Sequence, residues 1–291
     1  MATNMQGKTI LISGATNGIG KVSALELAKM GAQIVIIGRN KARTDETLRE
    51  IQSASGNKDV HALIADLSSM AEVRRVAADF KKQYSRLDVL LNNAGAVFQS
   101  RQETVDGYEM TFALNHLSYF LLTHELLDLL KASAPSRIVN VASDAHTAGT
   151  LDFNDLQLKT SSYGVGGMKA YSQSKLMNVM FTYELARRLA GTGVTANVLH
   201  PGFVNTGFGK NNRGLMQIVM GVVTLFALKV EDGAKTSVYL ASSPEVAGVT
   251  GKYFDKCKPK QTSPASYDEA AQKRLWEISE QLTGIATPAA V

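Results

Sequence analysis

The sequence predicts one α/β domain built on a doubly wound parallel sheet with helices on both faces, and three observations carry that expectation. Short β-branched runs (TILIS, QIVIIG, HALIAD, LDVLLN, RIVNVAS and VTANVLH) are each followed by a segment of helical length, the pattern of repeated βαβ units. QIVIIG and LDVLLN are apolar at nearly every position instead of alternating, as parallel strands covered on both faces must be. No Pro/Gly/Ser-rich linker and no internal repeat divides the chain, so residues 1–291 read as one unit.

Composition narrows the function classes. A 45% hydrophobic content suits a globular protein with a sizeable core. The net charge of +5 comes from 31 basic residues interspersed with 26 acidic ones, so no nucleic-acid partner is implied. A single cysteine, Cys257, excludes an internal disulfide and a thiolate metal cluster and suits a reducing compartment. The start, MATNMQGKTILIS, carries no signal-like apolar stretch, and a cytoplasmic location is the expectation. No stretch reaches the roughly 18–20 apolar residues that span a bilayer.

Strand one runs into SGATNGIG, where Gly14, Gly18 and Gly20 precede a helical run of about Lys21 to Met30, closed by Gly31. Glycines in such a turn let the backbone approach a pyrophosphate, whose charge meets the free N–H groups of the helix start. Thr16, Asn17 and Ile19 complete the turn. At the end of strand two, where an NAD site usually places an acid for the ribose 2′-OH, the chain reads GRNKAR. Arg39 is placed to hold a 2′-phosphate, with Lys41 or Arg43 as weaker helpers, so NADP(H) is expected over NAD(H).

Ser143 closes the fifth run at the carboxyl edge of the sheet, where open α/β folds bind ligands. Of nine tyrosines only Tyr171 has a lysine, Lys175, four residues on. Such a pair arises by chance about once in two chains of this composition, so the chemistry must supply the weight. On a helix the two side chains share a face, which sets an ammonium beside a phenol. Moving a phenol from its ordinary pKa near 10 to about 7 takes roughly 4 kcal/mol, which a lysine cation and an oxidised nicotinamide can provide together. Tyr171 would then exchange a proton with the substrate oxygen that Ser143 orients. The intervening segment, AHTAGTLDFNDLQLKTSSYGVGGMK, is polar and glycine-containing and reads as a mobile wall of a substrate pocket.

SGATNGIG, Asp66-Leu67, Asn92-Asn93-Ala94-Gly95, Asn115, Ser143, Tyr171-x3-Lys175 and Pro201-Gly202, in this order over some 200 residues, resemble the short-chain dehydrogenase/reductase family. GRN, the long Ser143–Tyr171 spacing, LHPG and GKYFDKCKP look most like its retinol dehydrogenase-like branch, which includes relatives of protochlorophyllide reductase. The resemblance implies a Rossmann-type fold of about seven strands, a catalytic centre of Ser143, Tyr171 and Lys175, and Asn115 helping to hold a water that leads protons to the lysine. It also implies that Asp66 contacts the adenine, that Asn93, Ala94 and Gly95 support the central strand and cofactor ribose, and that Pro201, Gly202, Val204 and Thr206 border nicotinamide and pyrophosphate. Asn40 and Leu67 accompany Arg39 and Asp66 in the expected cofactor site. Ser13 stands where the family usually has threonine and keeps the hydroxyl. Family members are usually dimers or tetramers, and membrane-bound retinol dehydrogenases carry an N-terminal anchor not seen in this sequence.

Other features are read as structural. His146 lies beside Ser143 and Asp144, but no GxSxG elbow supports a hydrolase. His116, His124 and His200 lack metal-ligand spacing. Tyr163 has Gly167 where a lysine is needed and is expected to line the pocket. The apolar stretch Leu215 to Leu228 falls where the family places a substrate lid, about 205–230, which leaves lid, subunit interface and core as open readings. Residues 256–291 form a C-terminal extension. The expected activity is NADP(H)-dependent hydride transfer to or from an apolar aldehyde, ketone or matching alcohol. A non-catalytic NADP(H) sensor and a C=C reductase are the alternatives.

Overall fold

The computed structural model describes residues 4–202 and 229–285. Six parallel strands appear where the apolar runs predict them: β1 Thr9–Ser13, β2 Gln33–Gly38, β3 Val60–Ile64, β4 Val89–Asn92, β5 Ser136–Val141 and β6 Val194–His200. Two short strands follow, β7 Tyr253–Asp255 and β8 Lys258–Lys260, so the sheet has eight strands among the described residues, close to the about seven expected. The order is β3-β2-β1-β4-β5-β6-β7-β8, parallel throughout except for β8, which returns antiparallel to β7. The turn between them runs through Lys256 and Cys257, both at positive φ (49° and 61°). No Asn-Gly or Asp-Gly pair advertises this turn, which is why the strand pattern did not reveal it.

Strand residues divide between two helical layers by the alternation of the pleat. Ile10, Ile12, Ile34, Ile36, Val89 and Leu91 face one core, with α1 (Gly18–Lys29), α2 (Lys41–Ser55) and the later helix Val230–Ser242. Leu11, Val35, Leu90 and Ile138 face the other, with α3 (Met70–Gln83) supplying Met70, Val73, Val76, Ala77 and Phe80 at helical spacing. Next on that side come a short α4 (Met110–Phe112), a π-helical segment Ala113–Leu117, α5 (Ser118–Ala132) and α6 (Met168–Arg188). Helix α7 is Val230–Ser242, and α8 is Glu269–Thr283. Trp276 of α8 packs among Phe120, His124 and Phe181, and this fastens the C-terminal segment to α5 and α6.

Strand order reverses beside β1, whose neighbours are β2 and β4. The carboxyl ends of β1 and β4 therefore open a crevice at the switch point where such sheets receive ligands. Helix α1 starts at Gly18, three residues before the expected Lys21, because Asn17 is already its N-cap. Gly31 follows it at φ 87°, as its sequence position suggests. The apolar stretch Leu215 to Leu228, and with it Val204 and Thr206, lies outside the described residues. Among those described, no helix is long and apolar enough to cross a membrane.

Candidate active site

The crevice is built by close backbone approach. Gly14 sits at φ 67°, and a side chain there would place its first carbon 2.6 Å from Ala94 Cα. At Gly20 the same carbon would collide with the Asn93 amide and lie 2.6 Å from the Gly14 carbonyl. Only hydrogen fits at either position. Asn93 donates from Nδ2 to the Ser13 and Gly14 carbonyls (3.1 and 2.9 Å), and Ser13 Oγ accepts from the N–H groups of Asn93 and Ala94 (3.0 and 3.1 Å). The hydroxyl retained at Ser13 thus fastens the glycine turn to the end of β4. Gly20→Ala is expected to destabilise the fold by about 1–3 kcal/mol, because Asn93 must move. An unchanged thermal melt would show that the turn has slack.

The N-terminus of α1 is electrostatically bare. Asn17 is extended at φ −160° and makes no side-chain cap, and no acid stands in the first turn. Such a helix start suits a phosphate. Thr16 and Ile19 lie in and after this turn. Arg39, 75% exposed at the end of β2, reaches toward Asp66 across 4.0 Å, so its guanidinium is largely unclaimed. Asp66 folds the next turn by accepting from Ser68 N and Oγ (3.0 and 2.7 Å), while Leu67 is buried in the core. Asn40 accepts from Arg43 N at 3.0 Å and caps α2, a structural use of a residue expected at the cofactor. Lys41 pairs with Asp45 at 2.6 Å.

At the carboxyl ends of β4 and β5 the predicted catalytic residues converge. Ser143 follows β5, accepts from Ala145 N at 3.2 Å, and hydrogen-bonds Tyr171. Tyr171 and Lys175 share one face of α6 in its first turns, with Lys175 Nζ 5.6 Å from the Tyr171 ring centre. The Lys175 ammonium donates to the Val141 carbonyl at 3.0 Å and lies 5.9 Å from the Tyr119 ring. Burial pushes the Tyr171 phenol up to about 12, against the Ser143 hydrogen bond, and pushes Lys175 down to about 7.

Asn115 sits in the π-helical segment, where the wide turn shifts its side chain off the α-helical path. Its Oδ1 accepts from Ala96 N (2.9 Å), and its Nδ2 donates to the Ala96 carbonyl and Ser174 Oγ (3.0 Å each). Gly95 lies between this amide and the lysine: a first side-chain carbon there would be 3.2 Å from Asn115 Oδ1 and 3.5 Å from Lys175 Nζ. Pro201 and Gly202 follow β6 at the same edge of the sheet. Tyr119, Ser174 and the backbone of Val141 and Ala96 were not singled out from the sequence. Tyr119 stands four residues after Asn115 and Ser174 precedes Lys175, which is the only signal they offer.

The residues set aside are occupied elsewhere. His146 bonds the Ser143 carbonyl and Ser263 N, not Ser143 Oγ, so no hydrolytic triad forms. Burial takes His116 down to about 3, and it bonds Ser279. His124 bonds the Phe120 carbonyl. The Tyr163 hydroxyl donates to buried Glu109 (2.7 Å) and meets Thr111 Oγ1 (2.7 Å). The segment between Ser143 and Tyr171 is pinned as well. Leu156 and Leu158 are buried, Gln173 holds the Leu156 carbonyl at 2.6 Å, and Asp155 gathers the N–H groups of Lys159, Thr160 and Ser161. Among the described residues no group of three or more His, Cys, Asp or Glu could hold a metal.

A doubly wound sheet with a glycine cradle at its switch point and a Ser–Tyr–Lys cluster beside it defines a class of nucleotide-dependent oxidoreductases. The chain belongs to the short-chain dehydrogenase family, whose model matches residues 8–154 and 159–215. Within that family it is retinol dehydrogenase-like. It is 44% identical to human retinol dehydrogenase 13 over 288 residues, covering 97% of this chain and 86% of the relative. It is equally 44% identical to human retinol dehydrogenase 14 over 297 residues, covering 97% and 88%. Among solved structures, an uncharacterized protein from Mycobacterium paratuberculosis superposes with a TM-score of 0.80 at 31% identity, over 99% of this chain and 97% of the other. The Pseudomonas aeruginosa RhlG/NADP complex gives 0.70 at 28%, over 86% and 95%.

Proposed function

We propose that the chain is an NADP(H)-dependent oxidoreductase that reduces an apolar aldehyde or ketone, or oxidises the matching alcohol, with Tyr171 as general acid/base. The observation that carries this reading is the convergence of Ser143, Tyr171, Lys175 and Asn115 on one patch beside a cradle that admits no side chain. The residues present fit a dinucleotide. Gly14 to Gly20 and the bare start of α1 would hold the pyrophosphate, Arg39 a 2′-phosphate, Asp66 the adenine side, and Asn93 to Gly95 the ribose. A bound nicotinamide supplies or accepts the hydride.

The chain's own residues handle the proton. Ser143 donates to the carbonyl oxygen and holds it in line with the Tyr171 hydroxyl. At neutral pH the buried phenol is protonated and serves as the acid that a carbonyl reduction needs. Lys175, held by the Val141 carbonyl, stabilises the phenolate left behind, and Asn115 with Ala96 frames the route by which a proton returns. An apolar substrate agrees with the names of the relatives and with the exposed Val165 and Met168 just ahead of Tyr171 on the approach to α6.

The test is NADPH oxidation against a panel of apolar aldehydes and ketones, retinal included, with product analysis to separate C=O from C=C reduction. Absence of turnover across the panel would remove the reading. Arg39→Ala is expected to raise KM for NADPH about 10- to 100-fold and leave KM for NADH within about twofold, since a charge-assisted phosphate bond contributes about 1.5–3 kcal/mol. Equal use of both cofactors, unchanged in the variant, would remove the NADP(H) preference.

A further inference from the structure

The hydrogen bonds around Ser143 continue, on the side away from Tyr171, into a second polar cluster that the reaction does not use. Ser143 opens a single 3-10 turn, Asp144–Ala148, and two histidines hold that turn. Asp144 N–H donates to Nδ1 of His200, the last residue of β6, at 3.1 Å. His146, within the turn, donates from Nδ1 to the Ser143 carbonyl at 2.8 Å and accepts at Nε2 from Ser263 N–H at 3.3 Å. Ser263 follows β8, so the C-terminal hairpin is stitched to the turn. Lys260 of β8 adds ion pairs to Asp144 (3.5 Å) and Asp255 (3.2 Å). Both rings receive a backbone N–H on a ring nitrogen, which only neutral imidazole permits. Protonating either one would set N–H against N–H.

We propose that His146 and His200 are positioning residues for Ser143 and act together as a proton-sensitive clasp, holding the turn when neutral and releasing it, and Ser143 with it, when charged. The proposal rests on the reading of Ser143 as the residue that orients the substrate. Asp144, Lys260 and the ring of Tyr253 (5.0 Å between centres) face His146; Asp144, Asp255, Lys260 and His146 face His200. Burial holds both imidazoles below their ordinary 6.5, and the carboxylates oppose it. Release therefore falls on the acid side of that value, where Tyr171 is already protonated; Lys175, at about 7, gains its charge over the same range, and the two histidine variants and the amide signals separate its titration from that of the clasp.

The test measures kcat and KM from pH 8 to 5 for the unaltered protein, His200→Asn and His146→Gln, using NADPH and the best carbonyl of the panel. The amide NMR signals of Asp144 and Ser263 are followed alongside in cofactor-free protein. Asparagine keeps an acceptor at the δ position and glutamine at the ε position, and neither titrates. The unaltered protein is expected to lose about tenfold in kcat between pH 7 and 5, as a displaced orienting group does, while KM for NADPH holds within about twofold. His200→Asn and His146→Gln should each blunt that acid limb. The two amides should move with the same midpoint in the unaltered protein, and each should stop moving when its own histidine is replaced. A flat profile, coincident profiles in all three proteins, or amides indifferent to pH would overturn the clasp. The NMR arm needs no turnover: a protein that reduces no carbonyl would sink the oxidoreductase reading, while the amides still decide the clasp, in the unaltered protein alone if a variant fails to fold.

Discussion

Tyr171→Phe is expected to lower kcat for carbonyl reduction about a thousandfold while NADPH binds within about threefold of its original affinity. In the proposed mechanism the phenol protonates the substrate oxygen, and general acid catalysis contributes typically 10²–10⁴-fold. Ser143 is not a substitute donor, since an ordinary alcohol cannot deliver its proton and hold the oxygen at once. Tyr163 is not one either, because its hydroxyl is committed to Glu109 and burial beside that carboxylate raises its pKa. Phenylalanine keeps the ring that packs 5.6 Å from Lys175 Nζ, so the variant should fold and bind nucleotide. NADPH fluorescence titration beside steady-state rates checks both halves. Retention of more than a tenth of the rate would mean that the proton comes from elsewhere.

The second large effect separates activity from stability at Lys175. Lys175→Met should abolish measurable turnover and yet raise Tm, by roughly 5 °C at pH 6. The ammonium is 3% exposed and burial lowers its pKa from 10.5 to about 7. The unfolded chain binds this proton up to about pH 10.5, whereas the folded chain gives it up above about 7, so folding is penalised in full below pH 7. The penalty shrinks as pH rises from 7 to 10.5 and is gone beyond it. Methionine, a similar unbranched side chain, removes the buried charge, a gain of the order of a few kcal/mol, less about 1 kcal/mol for the Val141 carbonyl left without its donor. Thermal melts of both proteins at pH 6, 8 and 10 should therefore converge with rising pH. A destabilised variant at pH 6 would mean that the hydrogen bond to Val141 outweighs the desolvation of the ammonium.

The parts of this molecule that were legible in its sequence are those with a period or a fixed spacing. Strand residues such as Ile34, Val35 and Ile36 announce burial on both faces because no polar residue interrupts them, and Tyr171 and Lys175 meet because four residues make about one helical turn. What escaped depends on backbone atoms and local geometry. The carbonyl that receives Lys175 belongs to Val141, and an acceptor of that kind leaves no mark on residue type. Asn115 could be named as a site residue, but not the π-helical turn that aims its amide at Ala96 and Ser174. Asn40 shows a related limit: an asparagine at a helix start looks the same in sequence whether or not it caps its own helix, and here its Oδ1 caps α2. The segment between Ser143 and Tyr171 carries hydrogen bonds that its polar composition does not announce, such as those that Asp155 accepts from Lys159 N and Thr160 Oγ1.

The last strand, β8, bears on how the protein behaves at high concentration. Parallel sheets end in open rows of amides and carbonyls that another chain can pair with, the start of most aggregation. Here the terminal strand is three exposed residues long, Lys258-Pro259-Lys260, and its central residue has no N–H to offer. Two charges and a proline at that border repel or fail to bond an incoming strand. The hairpin thus acts as a gatekeeper at its end of the sheet, closing it to polymerisation while the crevice at the strands' carboxyl ends stays open to ligand.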